Sequence, residues 1–308
     1  MPKNSRGDKM SKLKNWRIAG SVLTLAAAVF AIAATRREKP DIGERICHTS
    51  IFSWEAEYML EEYEPQLSGL MKRLGCEAVY QQIENDADEE TVLSYLNRRA
   101  VLGQDVYYLA GSPGWGSEAG AVSMLEEVKK VKEWNRKAPK KGGFYGIVWD
   151  VEPYLLKEWK EEPELCIKQF VKNCEAAYKK AGENQLAVIV CIPNFYDSSG
   201  FEEELEQLVM NGCDGIAVMN YLKRDETGQI ATEVELARRH QKAVINITEM
   251  QRPGYHELTD DNTYYNDGID AAQESWAIIR ETFNYPELGF SWHYVRPLLE
   301  LMEAEDSG

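Results

Sequence analysis

The stretch GIVWDVEPY, Gly146–Tyr154, joins a buried type of strand to two carboxylates. Its first half is apolar, β-branched and aromatic, which is typical of a strand covered on both faces. Pro153 then ends the ladder because it has no N–H group to donate. Side chains alternate along a strand, so Asp150 and Glu152 share one face with Val148. This pattern predicts a parallel strand with a carboxyl pair at its C-terminal end.

Runs of the same kind recur along the chain and alternate with amphipathic stretches of helical period. Several of those stretches begin with Pro or acidic residues, or end in Gly after Lys or Arg, as helices do. Eight strand–helix repeats match a (β/α)₈ barrel, or TIM barrel, in number and length. The predicted strands are Ile46–Phe52, Glu77–Ile83, Asp105–Gly111, Phe144–Glu152, Leu186–Pro193, Gly215–Leu222, Ala243–Met250 and Leu288–Val295.

A doubly wound open sheet is the alternative α/β architecture. Such a sheet normally carries a glycine-rich phosphate loop after its first strand. The segment HTSIFSWEAE, residues 48–57, contains no glycine. The sequence therefore favours the barrel, whose active site is expected at the C-terminal ends of the strands, where Asp150 and Glu152 stand.

The N-terminal 40 residues differ from the rest of the chain. Six basic residues precede Ile18–Ala34, a segment without charge that fits either a signal peptide or an uncleaved membrane anchor. We expect residues 1–40 to be a cytoplasmic basic stretch with this segment and residues 41–308 to be a single catalytic barrel. The barrel is then extracytoplasmic, secreted or anchored, and meets the membrane only through its N-terminal segment.

Charge and cysteine usage exclude several classes of function. The chain has a net charge of −16, and beyond residue 34 the count is 29 basic against 50 acidic residues, a net charge of −21. Such a surface repels nucleic acid and anionic lipid. The six cysteines show no CxxC or Cys/His metal spacing. We expect no metal, no cofactor and no nucleic-acid partner, and a monomer.

Aromatic, amide and acidic side chains gather near the predicted strand ends. Aromatic rings can stack on the apolar faces of sugars, whereas most aromatic residues in proteins belong to the core, and both readings stay open for each residue. His293 falls on the face opposite Trp292 and is expected to point towards the helices. Glu249 and Asn194 are explained equally well as solvated residues at strand ends. The predicted substrate-binding residues are Trp115, Tyr154, Asn194, Tyr196, Met219, Glu249 and Trp292.

Three segments resemble the family 18 glycoside hydrolases, the chitinase and endo-β-N-acetylglucosaminidase family. They are GIVWDVE (146–152), VMNY (218–221) and SWHY (291–294). The family has a strand-four motif DGxDxDxE, a strand-six MxY and a strand-eight Trp. The resemblance implies that Asp150 is the last Asp of the first motif, Glu152 its acid, Met219 and Tyr221 the MxY pair, and Trp292 the pocket floor.

The resemblance implies substrate-assisted retaining hydrolysis of N-acetylhexosamine glycans, with chitinase-like or endo action. Glu152 would be the general acid, Asp150 would stabilise the 2-acetamido group that acts as nucleophile, and Tyr221 would hydrogen-bond it. The Cα atoms of residues two positions apart on a strand are separated by about 6.6 Å. This spacing also suits an ordinary retaining carboxyl pair. Tyr145 and Val148 replace the first two motif Asp, so a sugar-binding barrel without catalysis is an alternative. A family 25 lysozyme-like muramidase is another, although the first strand lacks the Asp which that family usually supplies.

Overall fold

The computed structural model describes Ile46, residues 49–139 and residues 142–307. Eight parallel strands form one closed barrel in chain order. The strands are β1 (Thr49–Ser53), β2 (Ala78–Gln82), β3 (Asp105–Ala110), β4 (Phe144–Trp149), β5 (Ala187–Pro193), β6 (Gly215–Met219), β7 (Ala243–Glu249) and β8 (Leu288–His293). The predicted (β/α)₈ barrel is confirmed.

One principal helix follows each strand. These helices are α1 (Glu64–Leu74), α2 (Glu89–Val101), α3 (Gly120–Lys137), α4 (Pro163–Glu183), α5 (Glu202–Asn211), α6 (Ala231–His240), α7 (Gly268–Phe283) and α8 (Val295–Ser307). Their ends follow local chemistry: the Asp88 carboxylate caps α2 by accepting the Thr91 N–H at 2.8 Å, and Gly75 ends α1 in the left-handed conformation.

Side chains that alternate along the strands form two packed groups, one inside the barrel and one under the helices. Each fully buried aliphatic or aromatic side chain contributes about 1.5–3 kcal/mol to the hydrophobic stabilisation. The interior cluster includes Phe52, Tyr80, Tyr107, Leu109, Val148, Ile189, Cys191, Ala217, Ile245 and Ile247. The outer layer, which packs against the helices, includes Ile51, Val79, Ile147, Trp149, Val190, Val218, Phe290 and Trp292.

The N-terminal segment Ile18–Ala34 lies outside the described residues. Within the described part of the chain, no helix combines the length and the apolar character needed to cross a membrane. The five cysteines that the structure describes, Cys76, Cys166, Cys174, Cys191 and Cys213, are buried free thiols.

Candidate active site

Asp150 is the first residue beyond β4 and points into the barrel mouth. Its backbone N–H donates to the Ala110 carbonyl at 2.9 Å, which extends the pairing with β3 by one residue. Val148 lies in the interior cluster and Trp149 in the outer layer, so alternation turns Asp150 inward. Gly111 permits this approach, since a Cβ there would lie 1.7 Å from the Asp150 carbonyl oxygen.

Glu152 and Tyr154 lie on the turn that follows. Pro153 begins a 3-10 turn, Pro153–Leu155, which holds the two side chains at the rim. The Tyr154 hydroxyl donates a hydrogen bond to the Glu152 carboxylate. Burial, together with the negative charge of Glu152, raises the pKa of Tyr154, so this phenol stays a proton donor at neutral pH.

Asp150 has the perturbed acidity expected of a functional carboxyl. Burial and repulsion from Glu152 raise its pKa from 3.8 to about 6, while His293 and a hydrogen bond from the Cys191 thiol oppose the shift. Cys191 projects from β5 into the interior cluster, and burial raises its thiol pKa well above the usual value. The pair Asp150–Glu152 therefore contains one carboxyl that titrates near neutrality.

Met219 and Tyr221 complete the part of the site that β6 supplies. Met219 ends the strand, and both side chains pack on the interior cluster while remaining partly exposed. Burial and the charges of Glu249 and Asp150 raise the pKa of Tyr221, which keeps its hydroxyl protonated. The structure thus brings Tyr221 to the same mouth as Asp150.

A hydrogen-bonded chain links three further strands at this mouth. Glu249, at the end of β7, is buried, and its Oε2 lies 2.8 Å from His293 Nδ1; its Oε1 accepts the Gln251 N–H at 2.7 Å. His293 Nε2 in turn lies 3.1 Å from Trp54 Nε1. An indole N–H can only donate, so in the neutral imidazole Nε2 is the acceptor and the ring proton sits on Nδ1, facing Glu249.

His293 has an electrostatic role that its sequence position concealed. Burial disfavours its charged form, but Glu249, Asp150 and Glu152 outweigh that effect and raise its pKa above the usual value. The expectation that His293 points towards the helices is wrong. In β8 it is Phe290 and Trp292 that face outward, and His293 pairs with Glu249 across the β7–β8 ladder on the inner face.

Trp292 is not a pocket floor. It is fully buried in the outer layer, 4.2 Å between ring centroids from Trp276 of α7, and so cannot contact a ligand in the barrel mouth. The physical reason is space: the interior at this level takes Ser291 and His293, whereas the Trp292 indole packs against Trp276 between barrel and helix.

Two other predicted sugar-binding aromatics also lie in the outer layer. Tyr196 is 1% exposed and stacks on Trp159 at 6.1 Å. Trp115 packs edge to face on Trp149 at 6.0 Å, and its carbonyl accepts a hydrogen bond from Asn173 at 2.8 Å. Both residues follow their strands in turns, where the strand alternation no longer decides which way a side chain points.

Asn194 stays at the rim, after β5. Its side-chain Nδ2 donates to Gln229 Oε1, which ties the turn after β5 to the segment before α6. Glu249 faces inward with Ile245 and Ile247, as the alternation predicts. Of the predicted binding residues, the mouth therefore holds Met219 and Glu249. The Tyr154 ring packs with the outer layer while its hydroxyl contacts Glu152, and the Asn194 side chain is hydrogen-bonded to Gln229 at the rim.

Another concave site lies away from the barrel mouth. A groove of about 360 Å³ lies between α4 and α5, but its lining is largely charged, with Lys168, Lys172 and Glu203 among its residues. Small-molecule sites are mostly apolar with a few convergent polar groups. Among the described residues, no three His, Cys, Asp or Glu side chains come together as a metal site.

No family model matches the sequence, and no curated protein matches it. Solved structures do match. A proposed α-L-fucosidase from Bacteroides thetaiotaomicron is 12% identical with a TM-score of 0.57, over 85% of this chain and 92% of that chain. The fold is shared with glycoside hydrolase barrels.

Chitinases are among these structures. The C-terminal domain of a proposed chitinase from Desulfitobacterium hafniense has a TM-score of 0.53 at 11% identity, over 84% of this chain and 99% of that one. A family 18 chitinase from Pseudoalteromonas aurantia has a TM-score of 0.51 at 9% identity, over 83% and 99%. The resemblance that the strand motifs indicate is confirmed at the level of the barrel, and identities this low carry it no further.

Proposed function

We propose that the protein is a glycoside hydrolase whose catalytic pair is Asp150 and Glu152. The observation that carries the proposal is this pair at the C-terminal mouth of a closed barrel, with burial and mutual repulsion raising the pKa of Asp150 to about 6. Glycoside hydrolysis commonly uses two carboxyl groups beside the scissile bond. The mouth supplies them together with the protonated phenols of Tyr154 and Tyr221.

The reaction we propose is substrate-assisted hydrolysis of an N-acetylhexosamine glycan. Glu152 protonates the glycosidic oxygen as the bond to the anomeric carbon breaks, and the substrate's acetamido oxygen bonds to that carbon. Glu152 then takes a proton from the water that opens the cyclised intermediate. Asp150 stabilises the positive charge on the cyclised group, and Tyr221 hydrogen-bonds it. The partner is an oligo- or polysaccharide, cut in endo or chitinase-like fashion by a monomer.

The proposal is tested with matched glycosides that differ only in the 2-acetamido group. The expected result is hydrolysis of the N-acetylated substrate alone. Equal rates on both substrates would replace substrate assistance by an ordinary carboxylate nucleophile, for which Asp150 is placed equally well.

A non-catalytic sugar-binding barrel is the second candidate. One observation favours it: Tyr145 and Val148 occupy the positions of two motif carboxylates, and both pack on the interior cluster. Binding of glycans by the parent protein, without hydrolysis of any of them across a broad panel, would establish this alternative.

We also propose that the barrel works outside the cytoplasm. The support is the uncharged segment Ile18–Ala34 behind six basic residues. Protease added to intact cells should digest an anchored protein, and a cleaved one should appear in the medium. Intact, protease-protected protein in the soluble cell interior would contradict this proposal.

A further inference from the structure

The tryptophans of the barrel divide sharply between the two packed groups. The chain has 8 tryptophans, seven of which the structure describes. Only Trp54, among the described ones, packs on the interior cluster. The other six belong to the outer layer: Trp115, Trp134, Trp149, Trp159, Trp276 and Trp292. If an indole meets a ligand in the barrel mouth, Trp54 is the indole in position.

Trp54 is the first residue after β1 and lies partly exposed at the mouth. Phe52 lies nearly parallel to its ring, at 6.0 Å between centroids and 22° between planes. His293 meets it edge-on at 6.2 Å and 78°. The indole is therefore supported by Phe52 of the interior cluster and oriented by His293, at the end of β8.

A series of hydrogen bonds that runs from Trp54 through His293 to Glu249 fixes the orientation of the indole. Trp54 Nε1 donates to His293 Nε2 at 3.1 Å, and His293 Nδ1 donates to Glu249 Oε2 at 2.8 Å. Glu249 is itself anchored, because its Oε1 accepts the Gln251 N–H. In this series of hydrogen bonds each N–H donates to one acceptor. Rotating the indole would break the bond from Trp54 Nε1 and leave His293 Nε2 without its partner. Such second contacts commonly hold binding groups in productive geometry.

We propose that Trp54 is the platform on which a sugar ring of the substrate stacks, and that Glu249 and His293 are positioning residues that hold its plane. The inference rests on the proposed glycosidase function and deepens it. The His293 ring lies 6.1 Å from the ring of Tyr221, which shares the mouth with Asp150, so the platform and the carboxyl pair belong to one mouth. An aromatic plane beside two carboxyls is what a pyranose needs, an apolar face to stack and acceptors for its hydroxyls.

The first test compares Trp54→Ala and Trp54→Phe with Trp134→Phe, a substitution in α3 on the outside of the barrel. Loss of stacking should raise KM on N-acetylglucosamine oligomers roughly 2- to 12-fold in Trp54→Ala, with a smaller change in kcat. Trp54→Phe should retain part of the affinity, and Trp134→Phe should match the parent. A folded Trp54→Ala variant with the KM of the parent would overturn the platform.

The second test concerns positioning. His293→Ala should raise KM, and His293→Gln should restore it in part, because its Oε1 can accept from the indole in place of Nε2. In the Trp54→Phe background, which lacks the N–H, His293→Ala should have much less effect on KM. Equal effects of His293→Ala in both backgrounds would show that His293 does not act through Trp54.

A spectroscopic reading separates the two claims from the proposed function. The indole N–H resonance of Trp54, identified by its loss in Trp54→Phe, should move when glycan is added to the parent and when His293 is replaced by Ala. Hydrolysis by the parent with no movement of this resonance would overturn the platform and leave the glycosidase intact. A parent that neither binds nor cleaves any glycan would overturn both, before any variant is made.

Discussion

The two sides of the barrel strands use the same kind of residue for different ends. In the outer layer, Trp292 and Trp276 lie 4.2 Å apart and exclude solvent between strand and helix. At the inner mouth, Trp54 is partly exposed and is held by a chain of hydrogen bonds that ends on a buried carboxylate. The difference teaches that full burial marks the stabilising side, and a partly exposed ring with a fixed orientation marks the side that we propose meets a ligand.

The largest effect expected on stability comes from the outer layer. Trp292→Ala would leave a cavity against Trp276 and should lower the free energy of unfolding by about 3–5 kcal/mol. KM for glycans, measured on the folded fraction, should stay at the parent value. Denaturant unfolding checks the free energy of unfolding, and initial rates at low temperature check KM. Trp292→Phe is the milder matched variant. A raised KM without destabilisation would reverse the assignment of the two sides.

The backbone that supports Asp150 should tolerate an added side chain at Gly111 about as poorly as the outer layer tolerates Trp292→Ala. In Gly111→Ala the new Cβ would lie 1.7 Å from the Asp150 carbonyl oxygen, so the segment after β4 must move. We expect a loss of about 2–4 kcal/mol in stability and a fall in kcat, because Asp150 is displaced from the mouth. Gly114→Ala is the control, since the only atom near its Cβ is the Ser112 Oγ at 3.9 Å. Parent-like kinetics in Gly111→Ala would show that this approach does not position the acid.

At the inner mouth, in contrast, replacing the buried carboxyl of Asp150 should raise the stability of the protein. Asp150 has a pKa of about 6 in the folded protein and 3.8 ordinarily, so the native state binds a proton more tightly and stability falls as pH rises between these values. Asp150→Asn removes that fall. Allowing for solvent around the partly exposed carboxyl, it should stabilise the protein by about 1–2 kcal/mol at pH 7 and by little at pH 4, while activity is lost. Thermal unfolding at both pH values checks this, and a destabilised variant at pH 7 would contradict the charge repulsion at the site.

Much of the fold follows from local pattern. The alternation of apolar runs with amphipathic stretches predicts eight strands, and each observed strand lies within a predicted run except β1, which extends one residue further, to Ser53. The face shared by Asp150 and Val148, and that shared by Glu249 and Ile247, also follow from the period of two. The carboxyl pair at the end of β4 was therefore predictable.

The side of the strand on which an aromatic residue lies could not be predicted from the sequence pattern. Alternation fixes which residues share a face, but both faces of a barrel strand are buried, so Phe290 and Trp292 look equally suited to either. The ladder decides it, because β8 pairs with β7 so that His293 lies beside Glu249. A signal was present in the sequence: Gly289 and Ser291 are the small residues that leave room inside, which turns Trp292 outward and His293 inward.

The central claim is that the carboxyl pair in the mouth is catalytic, and Glu152→Gln tests it most directly. Gln keeps the size of the side chain and can still accept from the Tyr154 hydroxyl, but it has no proton to deliver. The measurement is kcat of parent and variant on an N-acetylglucosamine oligomer, with the dissociation constant of the same oligomer measured in parallel. We predict a fall in kcat of roughly 10²–10⁴-fold with binding retained. A Glu152→Gln variant that turns over at the rate of the parent would contradict the account.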